Sequence, residues 1–274
     1  MSDSLHSAGG LMSSVHFPQL NLIDKLITMI SKIYFSKEIF NMHIHIIQHE
    51  SFEAPGAYYV WAISRGHEVS FTRCWKGDVL PENMEGIDWL LIMGGPQSPD
   101  TTEAECPYFH SQKEQQLIRD AMSHGKIVVG VCLGAQLMGA ALGAGVERSP
   151  EKEVGLVKLY LTAEGKHDPI TRVLPPEFVS GAWHGDMPGL TKDSVILAAG
   201  GGCPRQIVRY GRKAYGFQCH LEFTRKTVDG LIAHAPQDLE NPKHSPYIMT
   251  AEQIREYDYT TMNDQLFFLL DQLG

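Results

Sequence analysis

The chain has 274 residues, 43% hydrophobic and 20% charged, an ordinary globular composition with enough length to bury a large core. Acidic residues outnumber basic ones, 32 to 23, and the formal charge of −9 argues against nucleic acid or an anionic membrane surface as a partner. The five cysteines, Cys74, Cys106, Cys132, Cys203 and Cys219, are odd in number and include no CxxC pair, which argues against a disulfide framework or a structural zinc site and for a reducing, cytoplasmic setting.

No Lys or Arg precedes Lys25 and the first arginine is Arg65, so neither a secretory leader nor a mitochondrial transit peptide is expected. Residues 22–35 are apolar but interrupted by Asp24, Lys25 and Lys32, too short and too charged to span a bilayer. Their apolar positions fit an amphipathic helix. Three readings stay open: a helix docked on the domain or a partner, a membrane-surface helix, or translation that starts at Met42. Residues 1–41 are therefore set apart as an extension, helical or partly disordered. Residues 42–274 are taken as one domain.

From Met42 strands and helices alternate. Residues 42–49 read as a buried strand, 54–66 as a helix with Gly66 as its stop, 67–74 and 88–95 as strands, and 111–125 as an amphipathic helix closed by Gly125. Residues 126–131 are another apolar strand. This order predicts βαβ units and a mostly parallel sheet flanked by helices. Beyond it, 154–163, 177–183, 194–200, 205–210 and 213–220 are strand-like with short connections, which predicts an antiparallel extension of the sheet. Residues 224–235 return to helix and 236–247 form a loop. Thr250 and Gln253 make a capping box that opens a last helix to about Leu270.

The stretch KIVVGVCLGAQLMGAALG (126–143) places Cys132 where a strand turns directly into a helix. Such a turn strains the central residue and lifts its side chain above the sheet edge. Gly130 and Gly134 let the backbones pass. A helix N-terminus favours a thiolate, and the Leu133 N–H points where an oxyanion would form. In GFQCHLEF (216–223), His220 and Glu222 sit two residues apart, on one face of a strand, where a carboxylate can orient and charge-stabilise an imidazole. The order Cys, His, Glu disfavours an α/β-hydrolase, which places its acid before its histidine. Gly95, at the end of the strand in LLIMGGPQS (90–98), is the candidate second oxyanion donor. Cys219 should face the core. His43 and His45 lack a third metal ligand, GAALGAG (139–145) has neither the spacing nor the preceding strand of a dinucleotide loop, and no HExxH pattern occurs.

GVCLGAQLMG, MGGPQS, AWHGD and GFQCHLE together resemble the class I glutamine amidotransferases, in particular the glutaminase domain of GMP synthetases and its stand-alone relatives. The resemblance covers about residues 42–235 and keeps the family's motif order. It implies a flavodoxin-like α/β fold and an activity that hydrolyses the side-chain amide of glutamine through a cysteinyl thioester. Cys132 would be the nucleophile, His220 the base and then the acid, and Glu222 the orienting group. Gly95 and Leu133 would supply oxyanion-hole N–H groups. Gly94, Gln136, His184 and Asp186 would contact the substrate. No cofactor and no metal are implied. The chain reads His220–Leu221–Glu222 where many members have H-P-E, and no GxxxxGK[ST] loop follows, so an ammonia-accepting synthetase is expected as a separate subunit or not at all. Two other readings stay open: a hydrolase of γ-glutamyl amides or peptides, and a non-enzymatic interaction protein on the same fold.

Overall fold

Interior strands buried on both faces organise the molecule, which is described here from a computed structural model covering residues 41–240 and 246–274. The expectations for residues 1–40, the helix over 22–35 among them, lie outside the described residues. β1 (His43–Gln48), β3 (Trp89–Ile92) and β4 (Ile127–Val131) are buried along almost their whole length, and β3 and β4 are continuously apolar, the pattern of parallel strands covered by helices on both sides. β2 (Glu68–Arg73) is half-exposed because it forms the sheet edge. Nine strands make one sheet among the described residues, in the order β2-β1-β3-β4-β9-β8-β7-β5-β6. The pairs from β2 to β9 (Ala214–Phe217) are parallel. Those joining β9, β8 (Ile207–Gly211), β7 (Val195–Gly200), β5 (Glu147–Leu161) and β6 (Glu177–Met187) are antiparallel. The fold is thus α/β, with a mostly parallel half and the antiparallel extension that the second-half strands predict.

Side chains alternate between two cores, as the period of two requires. Ile44, Ile46, Trp89 and Leu91 face one layer with α1 (Gly56–Ser64), α5 (Arg225–His234) and α7 (Thr260–Leu273). Ile47, Leu90 and Ile92 face the other with α2 (Ser111–Ser123) and α3 (Leu133–Ala141). α2 buries Leu117, Ile118 and Ala121 at helical spacing, and with them the polar Ser111, Glu114 and Gln115. α4 (Ala163–His167) is a short helix between β5 and β6.

Four predicted elements differ. β5 begins before its predicted start, and β6 runs past its predicted end and carries Trp183, His184 and Asp186 as strand residues. β9 ends at Phe217, so His220 and Glu222 lie beyond it in a bend. The last helix is two: α6 (Ala251–Glu256), opened by the expected Thr250–Gln253 capping box, and α7. Extended backbone at Tyr257 interrupts them, and the Tyr259 hydroxyl donates to the Ile254 carbonyl at 2.7 Å across the break.

Candidate active site

Cys132 follows β4 and caps α3 with φ 50° and ψ −106°; among the described residues no other non-glycine residue has positive φ. Such a conformation costs about 1–3 kcal/mol and must be over-determined by its surroundings. It is: the Cys132 N–H donates to Phe217 O on β9 at 2.7 Å, and its carbonyl accepts from Gln136 N at 3.2 Å. The flanking glycines are steric necessities. A methyl on Gly130 would stand 2.4 Å from the Gly134 carbonyl, and one on Gly134 would stand 2.2 Å from Ile92 O. Cys132 is only 8% exposed, because β6 passes over it and brings the Trp183 carbonyl to 3.9 Å from the sulfur. It is reached through a cavity of about 350 Å³, lined among others by Glu53, Gly95, Gln136, Trp183 and His184. A larger cavity, about 570 Å³, lies beside Cys74 and Tyr108 and touches none of these groups.

His220 and Glu222 meet although the strand has ended. His220 Nδ1 lies 2.7 Å from Glu222 Oε1, with both side chains almost wholly buried. A two-way backbone bridge to Gly181 on β6 (2.8 and 3.0 Å) and a stacked Phe223 ring, 4.4 Å between centroids, hold the imidazole. Glu222 is fixed through its own carbonyl, which accepts from the N–H of Ala57 in the first turn of α1 at 3.0 Å. His220 Nε2 is buried and has no hydrogen-bond partner. Burial opposes a charge on this ring, but the Glu222 carboxylate and the neighbouring Cys132 outweigh it and hold its pKa well above the usual imidazole value. Cys219 is fully buried in the core, as expected.

The remaining sequence candidates divide. The N–H groups of Gly95 and Leu133 have no acceptor among the described residues, the condition for an anion-binding pair. Gly94 stands beside the sulfur: a methyl there would be 3.5 Å from Cys132 Cβ. Gln136 lines the cavity, and its Nε2 donates to Gln218 Oε1 at 3.1 Å. His184 is turned toward its cross-strand partner Glu153, 3.2 Å away, with its ring 1% exposed. Asp186 lines the rim and accepts from Arg148 at 2.8 Å.

Three neighbours are not singled out as site residues by the sequence. Gln218 Nε2 points at Cys132 Sγ at 3.4 Å; of the three, it alone falls within one of the family-like motifs, GFQCHLE. Asn263 on α7 donates to the carbonyls of Leu221 and Phe223 at 2.9 and 3.0 Å, clamping the bend that carries the histidine and the acid. Glu53 lies over Gly94 with its carboxyl in no hydrogen bond or ion pair among the described residues, and a methyl on Gly94 would meet its Oε2 at 2.8 Å. Burial and nearby Glu222 and Glu50 push the Glu53 pKa up to about 7, against the opposing pull of His220 and His49. As for metals, His49, Cys74 and Glu114 bring ligand atoms within 4.8 Å of one another, but both His49 nitrogens are already bonded within the protein, so the trio does not suit an ion.

The family profile for glutamine amidotransferase class I matches residues 62–234. The chain belongs to the class I glutamine amidotransferase family. A glutamine amidotransferase-like protein of Salmonella typhimurium, YfeJ, is 47% identical over 232 residues, spanning 85% of this chain and 97% of its own. The glutamine-hydrolysing GMP synthase of Tolumonas auensis is 31% identical over 69% of this chain, which spans only 36% of that enzyme's length. The crystal structure of SMU.1228c is 48% identical, covers 85% of this chain and 99% of that one, and superposes with a TM-score of 0.82. A glutamine amidotransferase structure from Methylobacillus flagellatus, 24% identical with a TM-score of 0.77 and covering 85% of this chain and 94% of that one, shares the amidotransferase fold. Among the described residues of this family member, no helix is long and apolar enough to cross a membrane.

Proposed function

We propose that this amidotransferase hydrolyses the γ-carboxamide of glutamine, with Cys132 as nucleophile, His220 as proton carrier and Glu222 as its orienting group. One observation supports this above the rest: a buried imidazole, held by a carboxylate at 2.7 Å, leaves Nε2 without a partner beside a cysteine on a strained strand–helix turn. Cys132 attacks as the thiolate, with its proton on His220. The carbonyl carbon becomes tetrahedral, and its oxygen takes the negative charge between the Gly95 and Leu133 N–H groups. His220 gives its proton to the departing nitrogen, the C–N bond breaks, and ammonia leaves a γ-glutamyl thioester. Water then attacks the thioester, His220 takes its proton, the C–S bond breaks, and glutamate departs. Gln136, Gly94, His184 and Asp186 shape the substrate end of the cavity. The ammonia passes to a separate synthetase subunit or to solvent. All five cysteines are unpaired, which suits the reducing, cytoplasmic setting.

A second reading, hydrolysis of γ-glutamyl amides or peptides, draws on the cavity. Its volume of about 350 Å³ falls in the range of small-molecule sites, and its rim includes Phe52, Trp183 and His234, apolar or flat groups that suit a substituent on the amide nitrogen. Profiling the purified protein against glutamine, γ-glutamyl amines and γ-glutamyl peptides decides between the two. The glutaminase reading expects ammonia from glutamine as the fastest reaction, and a loss of about 10⁴-fold or more in Cys132→Ala with the fold intact. Full turnover by Cys132→Ala would remove both readings.

A further inference from the structure

A second buried imidazole–carboxylate pair stands behind the peptide that carries one oxyanion donor. His49 directly follows β1. Its Nδ1 lies 3.0 Å from Gly94 O, its Nε2 lies 2.9 Å from Glu114 Oε2 on α2, and neither side chain is accessible to solvent. A carbonyl oxygen only accepts, so Nδ1 carries a proton and donates it to Gly94. Burial works against a charge on the ring, but Glu114 and the Gly94 carbonyl outweigh it, and the His49 pKa stands above the usual imidazole value. The ring packs edge-on against Phe109, 5.5 Å between centroids, which adds to the two hydrogen bonds that orient it.

Gly94 C=O and Gly95 N–H belong to the same peptide group. In a planar trans peptide they point in opposite directions. An anchor on the oxygen therefore aims the N–H away from His49, and Gly95 lines the cavity of Cys132 with that N–H unengaged. With glycine on both sides this peptide has little steric reason to choose one orientation over its flipped form. The choice falls to whatever holds the oxygen. A carboxylate on the far ring nitrogen makes Nδ1–H the stronger donor, and that bond draws electron density toward the oxygen and leaves the peptide N–H the stronger hydrogen-bond donor.

We propose that His49, held by Glu114, is a positioning residue that locks the Gly94–Gly95 peptide with its N–H turned toward the developing oxyanion. This rests on the reading of Gly95 as an oxyanion donor, and the test separates the two.

Wild type, His49→Leu, His49→Asn and Glu114→Gln are compared as full chains. An asparagine amide can stand near the Nδ1 position and keep the donor; leucine removes it; Glu114→Gln keeps the geometry and removes the charge. Three readouts are taken: ammonia release from glutamine, binding of the γ-aldehyde of glutamate, and alkylation of Cys132 by iodoacetamide. In the second, Sγ adds to the aldehyde carbon and the charge on its oxygen needs the oxyanion donors. In the third, Sγ displaces iodide and no oxyanion forms. His49→Leu should lower kcat about 10- to 100-fold and weaken aldehyde binding in proportion. Alkylation should stay within about twofold and KM within about threefold. His49→Asn should recover most of the loss, and Glu114→Gln should fall between. Equal losses in alkylation and turnover, or unchanged kcat and aldehyde affinity, would overturn the proposal. A wild type that releases no ammonia yet binds the aldehyde in a His49-dependent way would discard the glutaminase reading and keep the clamp; one that binds neither overturns both. If His49→Leu does not fold, the ratio of aldehyde affinity to alkylation rate in His49→Asn and Glu114→Gln decides in its place: a ratio equal to that of wild type in both overturns the clamp, and a lower ratio in Glu114→Gln supports it.

Discussion

The ends of β9 and β1 each lead into a buried histidine bonded to a buried glutamate, at 2.7 Å for His220–Glu222 and 2.9 Å for His49–Glu114. They differ in what the second ring nitrogen meets. His220 Nε2 has no partner, with the cysteine sulfur as neighbour, so a proton there is free to move. His49 Nδ1 faces a backbone carbonyl that cannot take a proton, so its hydrogen is fixed. A third pair, His184 and Glu153, shows the other extreme: Glu153 is already engaged by Gly202 N–H and Gln206, and neither His184 nitrogen has an aligned partner. Residue types alone do not assign a role to an imidazole–carboxylate pair; the atom opposite the second nitrogen does.

The comparison can be broken by substituting the two acids in parallel. Glu222→Gln should lower turnover about 10³- to 10⁴-fold, because the ring loses both its orientation and its charge partner. It should slow iodoacetamide alkylation of Cys132 as well, which Glu114→Gln should spare. Similar alkylation rates in the two variants would erase the distinction.

A smaller effect is expected from the clamp on the β9 side. Asn263→Ala leaves two buried carbonyls, those of Leu221 and Phe223, without their donor. A loss of about 1–3 kcal/mol in urea denaturation should follow, and turnover should fall about tenfold as the His220 bend loosens. Unchanged stability would mean that the bend is held by its β6 bridge alone.

Glu53 sharpens the electrostatics between the two pairs. Its folded pKa, about 7, lies above that of an unfolded glutamate, so the folded state binds more protons and loses stability as pH rises from about 4.5 to about 7. Glu53→Gln removes that loss. The variant should match wild type below pH ~4.5 and exceed it by about 1–3 kcal/mol above pH ~7, the lower part of that range allowing for partial solvent access. A constant difference across pH, measured by thermal unfolding, would refute the shift. The smallest effect is expected far from both pairs: Thr250→Ala should cost about 1 kcal/mol through the lost cap of α6, with turnover unchanged.

Much of the site is legible in the chain because its signals are local. The strand–turn–helix around Cys132 is written in an apolar run, two glycines and helix formers, and the backbone conforms: positive φ at Cys132 and no room for a side chain at Gly130 or Gly134. His220 and Glu222 are legible for a partly mistaken reason. Their spacing suggests one face of a strand, yet β9 ends at Phe217, and a bend stapled to Gly181 brings them together. The break between α6 and α7 is invisible in the chain because the apolar periodicity is compatible with one continuous helix, and only the extended backbone at Tyr257 interrupts it.

The α/β class, the elbow, the candidate set Cys132, His220 and Glu222 and the family likeness are legible in the chain alone, because apolar periodicity and glycine placement are local signals and each motif spans only a few residues. Which polar side chains surround that set depends on the fold. His49 meets Glu114 across 65 residues, Gln218 meets Cys132 across 86 and Asn263 meets Leu221 across 42. Those contacts depend on strand order and helix packing, which bring distant segments together at the C-terminal ends of the parallel strands and leave no periodic trace in the chain.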